Sequence, residues 1–334
     1  MKIAVIGAGA IGGLVAGYLK LKGQDVSLVG HPEAVNALEV KGLRISGVRG
    51  SFHIQVPAAE RLDYAADLII LATKTQDIEV AVKNNLPFLG NATFLTTQNG
   101  IQADNFVARH LPREDIISSI VMFGATLLEP GSVVHNFEGD WILGRPFGPV
   151  DASIDKLAQV LNQAFPVKVS PDLKGMKYLK IFVNANNCIP AILGVSMQEA
   201  FADSSISRIS IAIWREGMGI VRKSGISLVS LPDFPAERLI KLTSLPIQEA
   251  AGIFSGIMRS LSKEPLYGSI LQSIRRGRAT EIDYINGEFV NLAKANRLTA
   301  GLNQKLVEMV HEVERTNRFF SKEELLNNTK AWIN

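Results

Sequence analysis

Cysteine is all but missing: Cys188 stands alone among 334 residues. One thiol excludes an intrachain disulfide framework and fits a reducing compartment. Long hydrophobic runs are missing as well, and none reaches the roughly 18 apolar residues of a membrane span. Residues 1–20 do not read as a signal peptide, because a glycine turn interrupts the apolar start and no basic stretch leads into a long apolar one. The expected location is the cytoplasm, away from any membrane. There is no excess of one charge. Lys and Arg number 35 against 32 Asp and Glu, a formal net charge of +3, too small to argue for nucleic acid. A mildly basic site for an anionic ligand would account for it. No cluster of His, Cys and carboxylate has metal-ligand spacing, so no metal is expected. There is no low-complexity tract.

What remains is a globular composition, 47% apolar and 20% charged. The length is too great for one ordinary core and predicts two domains. The chain is organised around its first thirty residues. Lys2 to Ile6 is a short apolar run rich in β-branched residues, which reads as a buried parallel strand. Gly7-Ala8-Gly9-Ala10-Ile11-Gly12 follows at G-x-G-x-x-G spacing. Leu14 to Lys22 reads as helix, closed by Gly23, and Val26 to Val29 as a second strand. In such a βαβ unit the first glycine allows the tight turn, the second lets backbone approach a pyrophosphate, and the third lets helix and strand pack closely. The N–H groups at the helix start favour the anion.

Dinucleotide sites that select NAD usually carry Asp or Glu at the end of the second strand. Here Val29 and Gly30 occupy that place, and Glu33 lies beyond Pro32. A site without the acid tolerates a 2′-phosphate, so the expected cofactor is NADP. His31 stands roughly where a phosphate-binding arginine would. Two further strand ends point to the same ligand edge. Asp67 to Ala72 reads as a buried strand running into Lys74, and Thr93 to Thr97 as another running into Gln98-Asn99-Gly100. Lys74 and Asn99 are therefore candidate cofactor contacts.

Leu43 to Val56 reads as an antiparallel excursion turning at Gly47 and Gly50. Ile116 to Val121 and stretches near Val133 and Trp141 are spaced like an antiparallel meander. Asp151 to Phe165 reads as an amphipathic helix and Val167 to Val169 as a last strand. The expected fold class is α/β, with a Rossmann-type doubly wound sheet domain over residues 1–170 and an all-α domain over 171–334. Helical periodicity marks 174–187, 197–201, 205–223, 235–244, 278–296 and 299–316.

In the second half, Lys180 and Asn184 stand at i, i+4 and share one helix face. Apolar Leu179, Ile181, Phe182 and Val183 surround the lysine. Partial desolvation would lower its pKa and suit it to acid–base work. Two other stretches stand out: Tyr267 to Gln272, with Ser269, and Gly277 to Gly287, in which Thr280 is a candidate helix cap. Glu281 and Asp283 cannot both face one core, so one is expected to be functional and one structural.

Taken in order, Gly7-x-Gly9-x-x-Gly12, Lys74, Gln98-Asn99-Gly100, Lys180-x-x-x-Asn184, Ser269 and Thr280-Glu281-Ile282-Asp283-Tyr284-Ile285-Asn286-Gly287 make a pattern. With it the sequence resembles the ketopantoate reductases (2-dehydropantoate 2-reductases) over nearly the whole chain. The resemblance implies reduction of a 2-oxo acid by NADPH, towards pantothenate and coenzyme A. It implies that Lys180 gives a proton to the carbonyl oxygen and that Glu281 fixes the substrate hydroxyl. Asn184 and Ser269 match substrate contacts; Lys74 and Asn99 match residues near the cofactor. Two positions depart from the pattern. Family members often carry a second asparagine four residues after Asn184, where this chain has Cys188; Asn187, one position off, is the candidate substitute. His31 replaces a frequent arginine. The first departure bears on which 2-oxo acid is used, the second on the preference for NADPH.

Other readings of the same residues are a reductase of a different 2-oxo acid, an enzyme closer to the β-hydroxyacid dehydrogenases, and a catalytically silent NADP(H)-binding sensor. Keeping Lys180 together with Glu281 argues against the sensor. A homodimer through the helical domain is an open expectation.

Overall fold

Lys2–Ile6 is a strand whose last four residues are completely buried, as an apolar, β-branched run between two parallel neighbours should be. The computed structural model describes residues 1–260, 262 and 264–333. The chain forms two units, Met1–Lys174 and Gly175–Asn334, dividing inside the helix Leu173–Ala185 just past Ser170-Pro171.

The first unit is built on an eight-stranded sheet. From one edge its strands run Val167–Val169, Trp141–Gly144, Ile116–Val121, Thr93–Thr96, Leu68–Leu71, Lys2–Ile6, Asp25–Val29 and Ala58–Ala59. All neighbours are parallel except Trp141–Gly144 against Ile116–Val121. The order of connection reverses at Lys2–Ile6, which lies between Asp25–Val29 and Leu68–Leu71. Such a reversal opens a crevice at the carboxyl ends of the strands.

The helix Ala10–Leu21 buries every residue from Gly12 to Leu19. A helix covered on all sides needs a layer beyond its own sheet, and a second sheet supplies it. Its order is Phe52–Ile54, Leu43–Gly47, Ser132–Phe137, Gly124–Glu129. The Leu43 to Val56 hairpin is as expected, but the strand through Val133 does not join a meander in the main sheet. It pairs in parallel with Leu43–Gly47 instead. The reason is packing: Leu43, Ile45 and Val133 crowd the positions of Gly13 and Gly17 on the outer face of the helix.

The strand Ser132–Phe137 also buries His135 completely. Its Nδ1 lies 3.0 Å from the Tyr18 hydroxyl, and its Nε2 has no hydrogen-bond partner. Burial lowers its pKa, outweighing the attraction of Glu138. The unfolded chain therefore takes up a proton near pH 6.5 that the folded one resists, so stability falls as pH drops below about 6.5. His135→Gln cannot take up that proton. Melting temperatures of wild type and His135→Gln, measured from pH 7.5 to 5, should converge as pH falls. A constant gap would show that His135 carries no such linkage.

The second unit is helical, with a single isolated bridge, Leu231 to Phe234, among the described residues. Ser204–Lys223 is its central helix, packed by Ala236–Ser244, Ile247–Arg259, Asn286–Ala295, Gly301–Thr316 and Lys322–Ile333. Trp214 on this helix donates to the Phe182 carbonyl at 2.8 Å and meets Phe254 edge-on. Phe182 and Phe289 pack at 4.8 Å over Gly217. The stretch 278–296 is not one helix. It runs through a turn and a short 3₁₀ helix, Ile282–Tyr284, before Asn286–Ala295. Among the described residues no helix is long and apolar enough to cross a membrane.

Candidate functional site

In the first unit, strand register brings the predicted cofactor residues to one edge. Ile6 pairs with Val29 and with Leu71, and Leu71 with Thr96. The segments that follow these ends, at Gly7, Gly30-His31, Ala72 to Lys74 and Gln98-Asn99, therefore leave the sheet side by side.

Gly7 sits at φ +117°, and a Cβ there would lie 2.6 Å from the Ala72 carbonyl carbon and the Thr73 nitrogen. Gly12 is tighter still: its Cβ would stand 1.9 Å from the Gly7 carbonyl oxygen. A Cβ on Gly9, by contrast, would meet nothing within 4 Å. So the outer glycines close the turn against the sheet and the middle one faces open space. The helix starting at Ala10 has no capping side chain and no acidic residue in its first turn. Its first N–H groups and positive end are free of competing carboxylates, as an anion site requires. The buried Thr73 hydroxyl beside this turn has no protein hydrogen-bond partner. These features fit a dinucleotide pyrophosphate over Gly9.

Gly30 lets the second strand end close to Ala8, since a Cβ there would come 2.8 Å from the Ala8 methyl. His31 follows, exposed, as the N-terminal boundary of the helix Pro32–Lys41, and its ring makes no capping bond. Lys74 plays the same part for the short 3₁₀ helix Thr75–Asp77. Asn99 is part-buried beside Gly100, whose φ is +81°. The neighbouring Gln98 has a role that sequence reasoning missed. Its amide is buried and donates to the Leu71 and Thr73 carbonyls, each at 2.9 Å. It ties the segment carrying Lys74 to the one carrying Asn99. Its place in the Gln98-Asn99-Gly100 run was the available signal.

In the second unit, Lys180 and Asn184 lie on the helix Leu173–Ala185, one turn apart. Lys180 keeps part of its surface accessible, and burial of the rest lowers its ammonium to about 8. Asn187 bounds the next helix, Cys188–Leu193, and donates its N–H to the Asn184 carbonyl at 2.9 Å. The Cys188 thiol is fully buried, beside Asn286, and burial pushes it up to about 12. It offers neither the amide nor the reach of the asparagine that the pattern favours there.

Gly268 packs on the Asn187 side chain, since its Cβ would come 3.2 Å from that residue's Cβ and Cγ. Ser269, exposed at the start of Ser269–Arg275, is thereby brought beside Asn187. The helix Cys188–Leu193 packs against Ser269–Arg275 on one flank and Gly301–Thr316 on another. Glu281 is part-buried on the turn before Ile282–Tyr284. The Thr280 hydroxyl accepts from the Ile282 N–H at 3.3 Å, so Thr280 closes this turn and does not cap an α-helix. Among the described residues no three His, Cys, Asp or Glu side chains gather as metal ligands.

A family model described as ketopantoate reductase PanE/ApbA matches residues 3–146, and its C-terminal counterpart matches residues 172–314. The 2-dehydropantoate 2-reductase of Pyrococcus abyssi is 31% identical over 306 residues, covering 91% of this chain and 94% of that protein. The one from Lactococcus lactis subsp. lactis is 26% identical over 336 residues, covering 98% and 99%. Among solved structures, D-mandelate dehydrogenase with NADH and anilino(oxo)acetate aligns with a TM-score of 0.81 at 25% identity, covering 95% of this chain and 99% of that one. A PanE/ApbA family ketopantoate reductase from Ralstonia eutropha shares the fold, with a TM-score of 0.79 at 23% identity over 94% and 99% of the two chains.

Proposed function

The chain belongs to the ketopantoate reductase family, and we propose that within it this protein reduces 2-dehydropantoate to pantoate with NADPH, in the cytoplasmic supply of pantothenate and coenzyme A. The family works with a nicotinamide cofactor on a small substrate at a carbon bearing an oxygen. The single observation that carries the reading is Lys180, an ammonium lowered to about 8 by burial and sharing a helix face with Asn184. A group in that range gives up a proton at neutral pH far more readily than an ordinary lysine.

When bound, a nicotinamide would supply the hydride for the substrate carbonyl carbon. The residues do the rest. The turn from Gly7 through Ala8, Gly9, Ala10 and Ile11 to Gly12 would receive the pyrophosphate. Lys74 and Asn99 would hold the cofactor beside it, and His31 would pair with the 2′-phosphate. Lys180 donates a hydrogen bond to the carbonyl oxygen and its proton as the alkoxide develops. Ser269, Asn184 and Asn187 hold the substrate carboxylate and chain, and Glu281 accepts from the substrate hydroxyl.

A second reading has support of its own. Cys188 stands where an asparagine would reach the substrate, His31 stands where an arginine is frequent, and the neighbour at TM-score 0.81 is a D-mandelate dehydrogenase holding NADH. A less polar 2-oxo acid reduced with NADH would suit both substitutions. Initial rates with 2-dehydropantoate and with phenylglyoxylate, each with NADPH and NADH, separate the two. The first reading expects 2-dehydropantoate and NADPH to give the highest kcat/KM, and His31→Gln to weaken NADPH binding while leaving NADH binding unchanged. Preference for phenylglyoxylate, or equal use of NADH, would replace it with the second. Cofactor binding without turnover of any 2-oxo acid would leave only a sensor.

A further inference from the structure

The turn that carries Glu281 is held from outside the site. The Glu314 Oε1 accepts from the Thr280 N–H at 2.6 Å. The other carboxylate oxygen of Glu314 lies 2.7 Å from His311 Nδ1, and His311 Nε2 lies 3.1 Å from the Asp283 carboxylate. Glu281 thus sits between two anchored residues, Thr280 and Asp283. Both anchors reach back to the one helix Gly301–Thr316. Within the turn, the Glu281 carbonyl accepts from the Tyr284 N–H at 3.0 Å.

We propose that Glu314 and His311 are positioning residues, which fix the Thr280–Asp283 turn so that the Glu281 carboxylate meets the substrate hydroxyl. This rests on the reading of Glu281 given above. A substrate contact displaced by an ångström loses much of its effect, and these bonds act on the residues at both ends of the turn, beside the burial of Ile282.

The chemistry of the clamp makes it sensitive to protonation. Only the imidazolium can donate from both nitrogens at once. Two charged groups act on His311: Glu314 on its own helix and Asp283 on the turn. The helices packed against Gly301–Thr316 at Cys188–Leu193, Ser204–Lys223, Asn286–Ala295 and Lys322–Ile333 add no other, among the described residues. Burial alone would lower the imidazole, but its bonds to the two carboxylates outweigh burial and raise it. The doubly bonded ring therefore persists to higher pH than in an ordinary imidazole, and one of its two bonds is lost as pH rises through the raised value.

The test is steady-state kinetics of the full chain with 2-dehydropantoate at saturating NADPH from pH 6 to 9. The variants are Glu314→Ala, Glu314→Gln, His311→Gln and Glu281→Ala. Glu314→Ala should raise KM about tenfold, with kcat and NADPH affinity nearly unchanged, the loss expected for one hydrogen bond to a charged group. Glu314→Gln keeps an oxygen for the Thr280 N–H and should recover most of that loss. The wild-type KM should rise as pH passes upward through the raised His311 value, and His311→Gln should remove that part of the rise. Wild-type KM in Glu314→Ala, no recovery in Glu314→Gln, or a KM profile in His311→Gln unchanged from that of wild type would each overturn the clamp. If Glu314→Ala does not fold, Glu314→Gln and the His311→Gln profile decide. Wild-type KM in Glu281→Ala beside a raised KM in Glu314→Ala would overturn the role given to Glu281 and leave the clamp standing.

Discussion

Lys180→Ala should lower turnover by on the order of 10² to 10⁴, the usual worth of a positioned proton donor, and leave cofactor affinity nearly intact. Its pH signature should be as clear as its size. The ammonium is lowered to about 8 by burial. Reduction needs it protonated, so the wild-type rate should be flat at neutral pH and fall as pH rises through about 8. The reverse reaction needs a proton acceptor, so oxidation of the 2-hydroxy acid should rise through the same range. In Lys180→Ala both inflections should vanish. Lys180→Arg keeps the charge, but guanidinium does not release a proton in this range, so it should fail too. Stability should not fall in step, because the alanine variant no longer buries an ammonium against its hydration. Rates in both directions from pH 6 to 10, with NADPH affinity measured separately, check all of this. Turnover near that of wild type would remove Lys180 from the mechanism.

Gly12→Ala should abolish cofactor binding by a different route. The new methyl would fall 1.9 Å from the Gly7 carbonyl oxygen and 3.1 Å from the Ala72 Cβ. The obstructing atom is backbone, held in the turn by the Gly7 N–H bond to the Val29 carbonyl at 2.8 Å, so it cannot rotate aside. The helix Ala10–Leu21 must move off the sheet, at a cost of about 1–3 kcal/mol or more for overpacking a core. The expected result is a lower melting temperature together with at least a hundredfold loss of NADPH affinity, on the order of 3 kcal/mol. Gly9→Ala is the control. Its methyl meets nothing within 4 Å, so the fold should keep its melting temperature. Any loss of NADPH affinity there reports a ligand lying over Gly9. Unchanged affinity in Gly9→Ala would move the pyrophosphate elsewhere, and an unperturbed Gly12→Ala would refute the packing argument.

The parts of the fold that could be read in advance are those whose signals are local. Gly7, Gly9 and Gly12 lie within six residues of one another, between a strand and a helix that each carry their own period. The edge that collects Lys74 and Asn99 follows once those strands are parallel. The second sheet could not be read this way. Val133 pairs with Ile45, and nothing near either residue names the other. Only the helix buried between the two sheets requires the pairing. The turn at Thr280 was hidden for the same reason. Its sequence continues a helical period, but the Glu314 carboxylate takes the Thr280 N–H, and the chain starts its α-helix later, at Asn286. Helical period likewise left out Ile247–Arg259, whose buried face is made of the small residues Ala250, Ala251 and Ser255 with Phe254, and whose exposed face carries Gly252 and Gly256. At the site, residue types were readable from spacing, but what supports them was not. The tie that Gln98 makes to Leu71 and Thr73 crosses between strands, and the clamp on Glu281 comes from a helix some thirty residues on.

The burial of Cys188 reaches beyond substrate choice. The nucleophilic form of cysteine is the thiolate, and this thiol, pushed up to about 12 and sealed from solvent, holds almost none of it. The folded chain therefore presents no thiol to maleimides or to mixed disulfides with small thiols. Unfolding reveals one reactive thiol, so the rate of thiol labelling measures global opening with no engineered reporter. A cysteine introduced on the surface would be the sole site of attachment for a spin label or fluorophore.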